Sequence, residues 1–177
     1  MKTCRQCQKE FTPQRPMQTL CSPRCAIRAT TLARKEKKAS ERARREKLKT
    51  IPERIKEAQH EFNAYIRLRD AGRDCICCGM PLRNTGVGGG ADCGHYRSTG
   101  SASHLRFDER NAHLQSKVCN RWGAGRAVDY RIGLIARLGI EAVEALEADN
   151  RQHKWTHEEL IEIRAKYRAK RKELEAK

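Results

Sequence analysis

Long apolar runs are missing from this 177-residue chain. Nowhere do about 18 apolar residues follow one another, so the sequence predicts no membrane-spanning helix. The N-terminal Met1-Lys2-Thr3-Cys4 lacks the apolar core of a signal peptide, which makes a reducing cytoplasm the expected setting. Aromatic residues are scarce at 5%, and hydrophobic residues reach 38% against 34% charged. Long stretches must therefore be solvated helix, because they cannot all contribute to one packed interior. A phosphate-cradling loop is absent too: Gly86-Val87-Gly88-Gly89-Gly90 has no helix start behind it and no suitably placed lysine, and is read as linker. Little core-forming material in a chain of this length predicts one ordinary domain or two small ones held by metal, and the composition favours the second.

Positive charge and cysteine are plentiful. Lys plus Arg total 38 against 22 acids, a net +16 with an isoelectric point near 9.8. Such an excess is the electrostatic signature of a polyphosphate partner, so DNA or RNA is expected, bound more weakly as salt rises. Charge carried for solubility alone seldom goes this far. Among the nine cysteines, Cys4, Cys7, Cys21 and Cys25 form a Cys-x2-Cys and a Cys-x3-Cys pair around a short loop. Four soft thiolates at that spacing make a tetrahedral zinc site, and the loop is too small to fold without it. Paired disulfides are the alternative in an oxidising compartment.

Composition divides the chain into four segments and predicts an α+β fold. Residues 1–25 are the N-terminal zinc knuckle. Residues 26–72 are a basic helical linker and an amphipathic helix: positions 28–56 carry 12 basic residues against four acidic ones, a charge run that can follow a phosphate backbone or act only as a spacer. Thr50, Pro52 and Glu53 resemble a capping box that restarts a helix. Ile55, Ala58, Phe62, Tyr65, Ile66 and Arg69 follow at helical spacing, with Gly72 as the stop. Residues 73–127 hold the chemistry, with a knuckle at Cys75-Ile76-Cys77-Cys78-Gly79, a strand over 92–97, a polar turn over 98–103, a returning strand over 104–107, and a helix after Asn120. Residues 128–177 return to helices. Val128, Ile132, Ile135 and Leu138 mark one apolar face, Ile140, Val143 and Leu146 a second, and Thr156 with Glu159 caps a last helix bearing Leu160, Ile163 and Tyr167.

Within residues 73–127 the order of side chains suits a metal-dependent nuclease of the His-Asn-His type. Cys75 and Cys78 begin it, Asp92, Gly94 and His95 follow, Asn111 lies inside, and Cys119-Asn120 closes it. A neutral imidazole is needed to take a proton from water, a hard oxygen ligand to hold a divalent cation at the phosphate, and a zinc clip to fix both.

These residues also carry a family resemblance. The chain resembles the NinG (Rap) recombination proteins of lambdoid bacteriophages through Arg67-Leu68-Arg69-Asp70 leading into Cys75 to Gly79. The likeness continues through Asp92-Cys93-Gly94-His95-Tyr96-Arg97-Ser98, His104-Leu105-Arg106-Phe107, Asn111 to Asn120 and Tyr130-Arg131-Ile132-Gly133-Leu134-Ile135. The resemblance implies a small zinc-stapled ββα-metal (HNH-like) nuclease core embedded among helices. It also implies a structure-specific endonuclease acting on branched recombination intermediates, Holliday junctions and D-loops, in phage DNA recombination. One departure stands out: the family pattern has a cysteine three residues before Cys119, where this chain has Ser116. Cys75, Cys78 and Cys119 are then the expected zinc ligands, with the fourth open among Cys77, Cys93 and His113, or the clip weakened.

The roles follow from the chemistry. His95 would accept the proton of the attacking water, with Asn111 orienting it through its backbone carbonyl or side chain. Asp92 and Asn120 would ligate one Mg2+ or Mn2+. In many such nucleases an acid directly precedes the histidine; Gly94 stands there instead, so Asp92 must reach from two residues further back. Arg97, Arg106, Lys117 and Arg121 flank the centre as candidate phosphate contacts. Two-fold branched substrates suit a homodimer, and the setting would be the cytoplasm of a bacterial host. The alternative is a non-catalytic zinc-binding nucleic-acid adaptor, or a protein-interaction scaffold with an extended basic arm.

Overall fold

The computed structural model describes residues 1–83 and 89–176, so most of the glycine-rich linker lies outside the described residues. The chain divides into two compact units, Met1–Lys49 and Thr50–Lys177. The division falls inside the segment 26–72 that composition groups together. The basic helix belongs with the N-terminal knuckle because it buries only Cys25, in its first turn, whereas the amphipathic helix is held by the core of the second unit.

In the first unit, strands β1 (Lys2–Thr3) and β2 (Glu10–Phe11) pair antiparallel, Lys2 opposite Phe11. Helix α1 (Pro23–Lys47) starts at Ser22, whose side chain accepts the Cys25 N–H, with Pro23 opening the first turn. Its apolar residues are few, and Ile27 and Leu32 stay exposed. The helix therefore rests on propensity and on its first turn, with no packed face of its own.

In the second unit, helix α2 (Ile51–Arg69) begins where the Glu53 carboxylate accepts the Thr50 N–H at 2.8 Å. Its stripe of Ala58, Phe62, Tyr65 and Ile66 is buried as the spacing predicts, and Gly72 beyond it adopts φ +81°. Strands β3 (Ala91–His95) and β4 (Ala112–Ser116) form an antiparallel pair with Asp92 opposite Gln115 and His95 opposite Ala112. A 3-10 turn (Ser103–Leu105) lies in the loop between them, and a π-helical turn (Val118–Trp122) follows β4. Helices α3 (Ala127–Leu138), α4 (Ile140–Ala148) and α5 (His157–Glu175) complete the order.

The β3–β4 pair separates two apolar clusters. Cys93 and Ala112 join Phe62, Phe107, Leu160 and Tyr167 on the side of α2 and α5, where Phe62 meets Tyr167 edge-on at 4.8 Å. Tyr130, Leu134, Val143 and Leu146 close over Ile76, Ala102 and Leu105 on the other. Gly133 permits this second contact: a Cβ there would lie 1.9 Å from the Ile76 carbonyl oxygen.

Two sequence expectations give way. The returning strand is Ala112–Ser116, not residues 104–107, whose alternation ends up in the 3-10 turn and the loop after it. On α3, Val128 and Ile132 are exposed, while Tyr130 and Leu134 are buried. The deciding contact is the Tyr130 hydroxyl, which donates to the Gly94 carbonyl at 3.0 Å and rotates the helix away from its aliphatic face.

Candidate functional site

The four sulfurs of Cys4, Cys7, Cys21 and Cys25 lie within 4.8 Å of one another. Cys7 to Cys21 is 3.6 Å and Cys21 to Cys25 is 3.5 Å. A tetrahedral tetrathiolate with Zn–S bonds of about 2.3 Å has sulfur–sulfur edges of roughly 3.8 Å, so this set fits zinc. The Cys21 N–H also points at the Cys4 sulfur, at 3.4 Å, an arrangement that favours thiolate.

Cys75, Cys78 and Cys119 form a second cluster with the same span. Of the candidate fourth ligands, none joins it. Cys77 is held by Gln115 Nε2 at 2.9 Å, and burial pushes its thiol up to about 12. Burial does the same to Cys93, inside the α2-side apolar cluster. His113 lies between Arg69 and Asp70, with Nε2 against the Arg110 carbonyl. Ser116 itself borders the cluster: its N–H donates to Cys75 Sγ at 3.3 Å and its hydroxyl accepts the Cys119 N–H at 3.1 Å. Burial pushes the Cys75 thiol up, but backbone N–H groups of Ser116, Cys78 and Cys77 outweigh it and bring it to about 7. The cluster fits zinc through three thiolates, with a serine hydroxyl or water at the fourth corner.

His95 closes β3 with its ring 5.9 Å from that of Phe62. Its Nε2 lies 3.0 Å from the Arg106 carbonyl oxygen, an acceptor, so Nε2 carries the proton and Nδ1 is left as the basic nitrogen. Burial lowers the pKa of the ring, against the opposing pull of that carbonyl. The orienting group is thus Arg106, not Asn111. Asn111 is fully buried and staples the loop instead. Its Oδ1 accepts the Arg97 N–H, its Nδ2 donates to the carbonyls of Arg97 and Leu105, and its own carbonyl takes the Tyr96 N–H. Asn111 builds the loop whose Arg106 carbonyl then fixes the imidazole.

Asp92 and Asn120 are brought together, with Asn120 Nδ2 3.2 Å from Asp92 Oδ2. Arg121 forks onto the same carboxylate at 2.7 and 3.0 Å. Burial raises the Asp92 pKa, but the Arg121 and Asn120 bonds outweigh it and hold the group ionised. Turning the Asn120 amide over presents Oδ1 beside the carboxylate. Two protein oxygens with the remainder from substrate and water is how Mg2+ is commonly held, so with the amide turned and Arg121 displaced the pair offers the oxygen donors such a cation takes. Among the described residues, the only groups of three or more clustered His, Cys, Asp or Glu ligands are the two cysteine sets. The place of the usual acid before the histidine is physically filled: a Cβ on Gly94 would lie 2.0 Å from Gln115 Oε1. Asp92 and Gly94 share one face of β3 and His95 takes the other, in accord with their partners, Asn120 and Arg121 on one side and Phe62 on the other.

The four candidate phosphate contacts split. Arg97 is spent on the end of α4, donating to the carbonyls of Leu146, Glu147 and Asp149 and to Asn150 Oδ1. Arg106 is tucked against Gln59 and the Thr99 carbonyl. Arg121 is bonded to Asp92, and the charge of Lys117 adds to the lowering of that carboxyl's pKa. Two participants carried no sequence signal: the Arg106 carbonyl, because any residue supplies one, and Gln115, whose role is to occupy space.

The family described as "Bacteriophage Lambda NinG protein" matches residues 1–177. Protein ninG of Salmonella phage P22 is 39% identical over 188 aligned positions, covering 96% of this chain and 90% of that protein. Protein ninG of Escherichia phage lambda is 38% identical with the same coverage. Protein ninG of Escherichia phage 933W is 48% identical over 120 positions, 68% of this chain and 57% of that protein. No solved structure matches, and no described helix is long and apolar enough to cross a membrane.

Proposed function

The chain belongs to the NinG family of lambdoid phage proteins, and from that premise we propose a metal-dependent, structure-specific DNA endonuclease with a His-Asn-His (ββα-metal) core. The observation that carries the reading is the His95 Nε2 to Arg106 carbonyl contact at 3.0 Å. It leaves a neutral imidazole with a defined basic nitrogen, which is what deprotonating water requires. Asn111 holds the loop that supplies the carbonyl, and the Cys75, Cys78 and Cys119 cluster anchors the turn that carries Asn120. Asp92 and Asn120 would hold one Mg2+ or Mn2+, which would supply charge stabilisation at the phosphate and the departing 3' oxygen. Arg121 can exchange its carboxylate partner for a phosphate oxygen, since both accept the same guanidinium fork. Branched recombination intermediates as substrate, the host cytoplasm as setting and a homodimer are proposals that come with the resemblance.

A second reading is favoured by one observation. Asp92 and His95 project from opposite faces of β3, and Asp92 already carries Arg121. A zinc-bearing nucleic-acid adaptor without turnover is consistent with this geometry. The deciding experiment is a cleavage panel of four-way junction, D-loop, flap and linear duplex with Mg2+, Mn2+ or chelator, using wild type and His95→Ala. Metal-dependent nicking that disappears in the variant, with DNA affinity kept, supports the nuclease. Salt-sensitive binding with every substrate left intact supports the adaptor.

A further inference from the structure

Trp122 is 84% exposed, in a chain with only two tryptophans. The other, Trp155, packs between the rings of Phe107 and His153 at 5.0 and 4.3 Å. An indole has more apolar surface to hide than almost any side chain, and leaving it in water forgoes the stabilisation that burying it would contribute. The exposure does not come from a frayed end. Val118–Trp122 is a π-helical turn closed by the Gly123 N–H on the Val118 carbonyl at 2.8 Å and the Gly125 N–H on the Cys119 carbonyl at 3.1 Å. Cys119 is buried in the three-thiolate cluster. A Cβ at Gly123 would meet Cys119 O at 3.0 Å and the Arg126 side chain at 2.9 Å, so the closure depends on glycine. π-turns of this kind are found mostly at functional positions.

The surroundings define what the indole can receive. Lys117 and Arg121 precede it, Arg126 follows it, and Asn120, two residues back, touches Asp92. An aromatic face among cations suits a nucleotide, because the base stacks on the ring while the guanidinium groups take phosphate. Bases inside a duplex are already stacked on their neighbours, and only an unpaired base offers its face. Exposed Val128 and Ile132 would also suit a second copy of the chain, but the cations flanking Trp122 and the net charge of +16 oppose close self-association there.

We propose that Trp122 is a stacking platform for an unpaired nucleobase, set beside the Asp92, Asn120 and Arg121 group, so that the chain prefers DNA with unpaired bases at that point. The inference rests on the nucleic-acid reading above but not on turnover.

The test is a titration of dye-labelled oligo(dT) and a dye-labelled blunt duplex with the full chain, anisotropy of the dye reading affinity and tryptophan emission reading stacking, for wild type, Trp122→Ala and Trp122→Phe, each checked for an unchanged melting temperature. Wild-type emission is expected to be quenched by oligo(dT). In Trp122→Ala the quench should vanish, because Trp155 is packed, and oligo(dT) affinity should fall roughly 5- to 100-fold while duplex affinity stays nearly constant. Trp122→Phe should recover most of that affinity. Undiminished oligo(dT) binding by Trp122→Ala overturns the stacking role alone. A change in sedimentation with DNA affinity intact overturns it in favour of a second copy as occupant. Wild type that binds neither DNA overturns the nucleic-acid reading together with this one.

Discussion

Asp70, only 1% exposed, accepts the backbone N–H of Leu114 at 3.0 Å and so ties the end of α2 to the middle of β4. Arg69 forks onto the same carboxylate at 2.9 Å, and His113 and Arg137 approach it at 3.6 and 3.7 Å. Burial alone would raise its pKa, but the His113 and Arg69 bonds outweigh this and hold it below the usual carboxylate range. Removing it leaves the partly buried Arg69 and Arg137 without their carboxylate and the Leu114 N–H without its acceptor, so Asp70→Ala should lose about 3–5 kcal/mol of stability. Because the folded pKa is depressed, the contribution is complete above the unfolded value of about 3.9 and fades as pH falls below it. Urea unfolding at neutral and acid pH should show the gap between wild type and variant narrowing on acidification; a gap independent of pH would refute the assignment.

His95 leads to a prediction of the same sign for activity. Burial lowers its pKa while the Arg106 carbonyl opposes the shift, so the neutral ring predominates at pH 7. For a general base, kcat/KM should rise with pH to a midpoint below the ordinary imidazole value of about 6.5 and then level off. His95→Ala should reduce kcat by about 10²–10⁴-fold with DNA binding retained. A midpoint well above neutrality would assign the base to another group.

The features legible in sequence are those set by local chemistry. The caps at Thr50 and Thr156, the cysteine pairs and the α2 stripe depend on residues within one or two turns of each other. What escaped depends on distant partners. β4 alternates apolar and polar residues over Ala112–Ser116, but the run is short, Ala, Gln and Ser are weak strand formers, and its polar members His113 and Gln115 are as buried as Ala112 and Leu114. His113 lies against the Arg110 carbonyl and Gln115 donates to Cys77 and the Gly125 carbonyl, so local pattern alone does not mark it as the returning strand. The buried face of α3 is not legible in sequence, because the bond from the Tyr130 hydroxyl to a carbonyl 36 residues away outranks two aliphatic side chains. Nor does sequence distinguish an arginine that grips a distant helix end from one that meets phosphate.

Ser116 offers a metal prediction. With three thiolates and a weak fourth corner, the central cluster should release zinc to a chelator before the four-cysteine knuckle does. Losing even an outer partner of a metal ligand costs 10–100-fold in affinity, so Ser116→Cys should slow the faster release by at least about tenfold. Two release phases in wild type merging toward one in the variant, followed with a colorimetric zinc indicator, is the expected record. A single phase in wild type would mean that the serine corner costs the site nothing.

Arg97 and Arg121 should behave oppositely despite equal charge. Arg97 binds carbonyls at the end of α4, so Arg97→Ala should lower stability by about 1–3 kcal/mol through carbonyls left without a donor, with the salt dependence of DNA binding unaltered. Arg121 is 58% exposed and paired with Asp92. Its replacement by alanine should leave the unfolding midpoint essentially unchanged while reducing the slope of log K against log salt by about 0.9, the loss of one phosphate contact. Chemical denaturation and filter binding at several salt concentrations separate the two cases. If instead Arg97→Ala flattens the salt slope and leaves unfolding untouched, the guanidinium has left α4 for the DNA, and the division of labour read from these contacts is reversed.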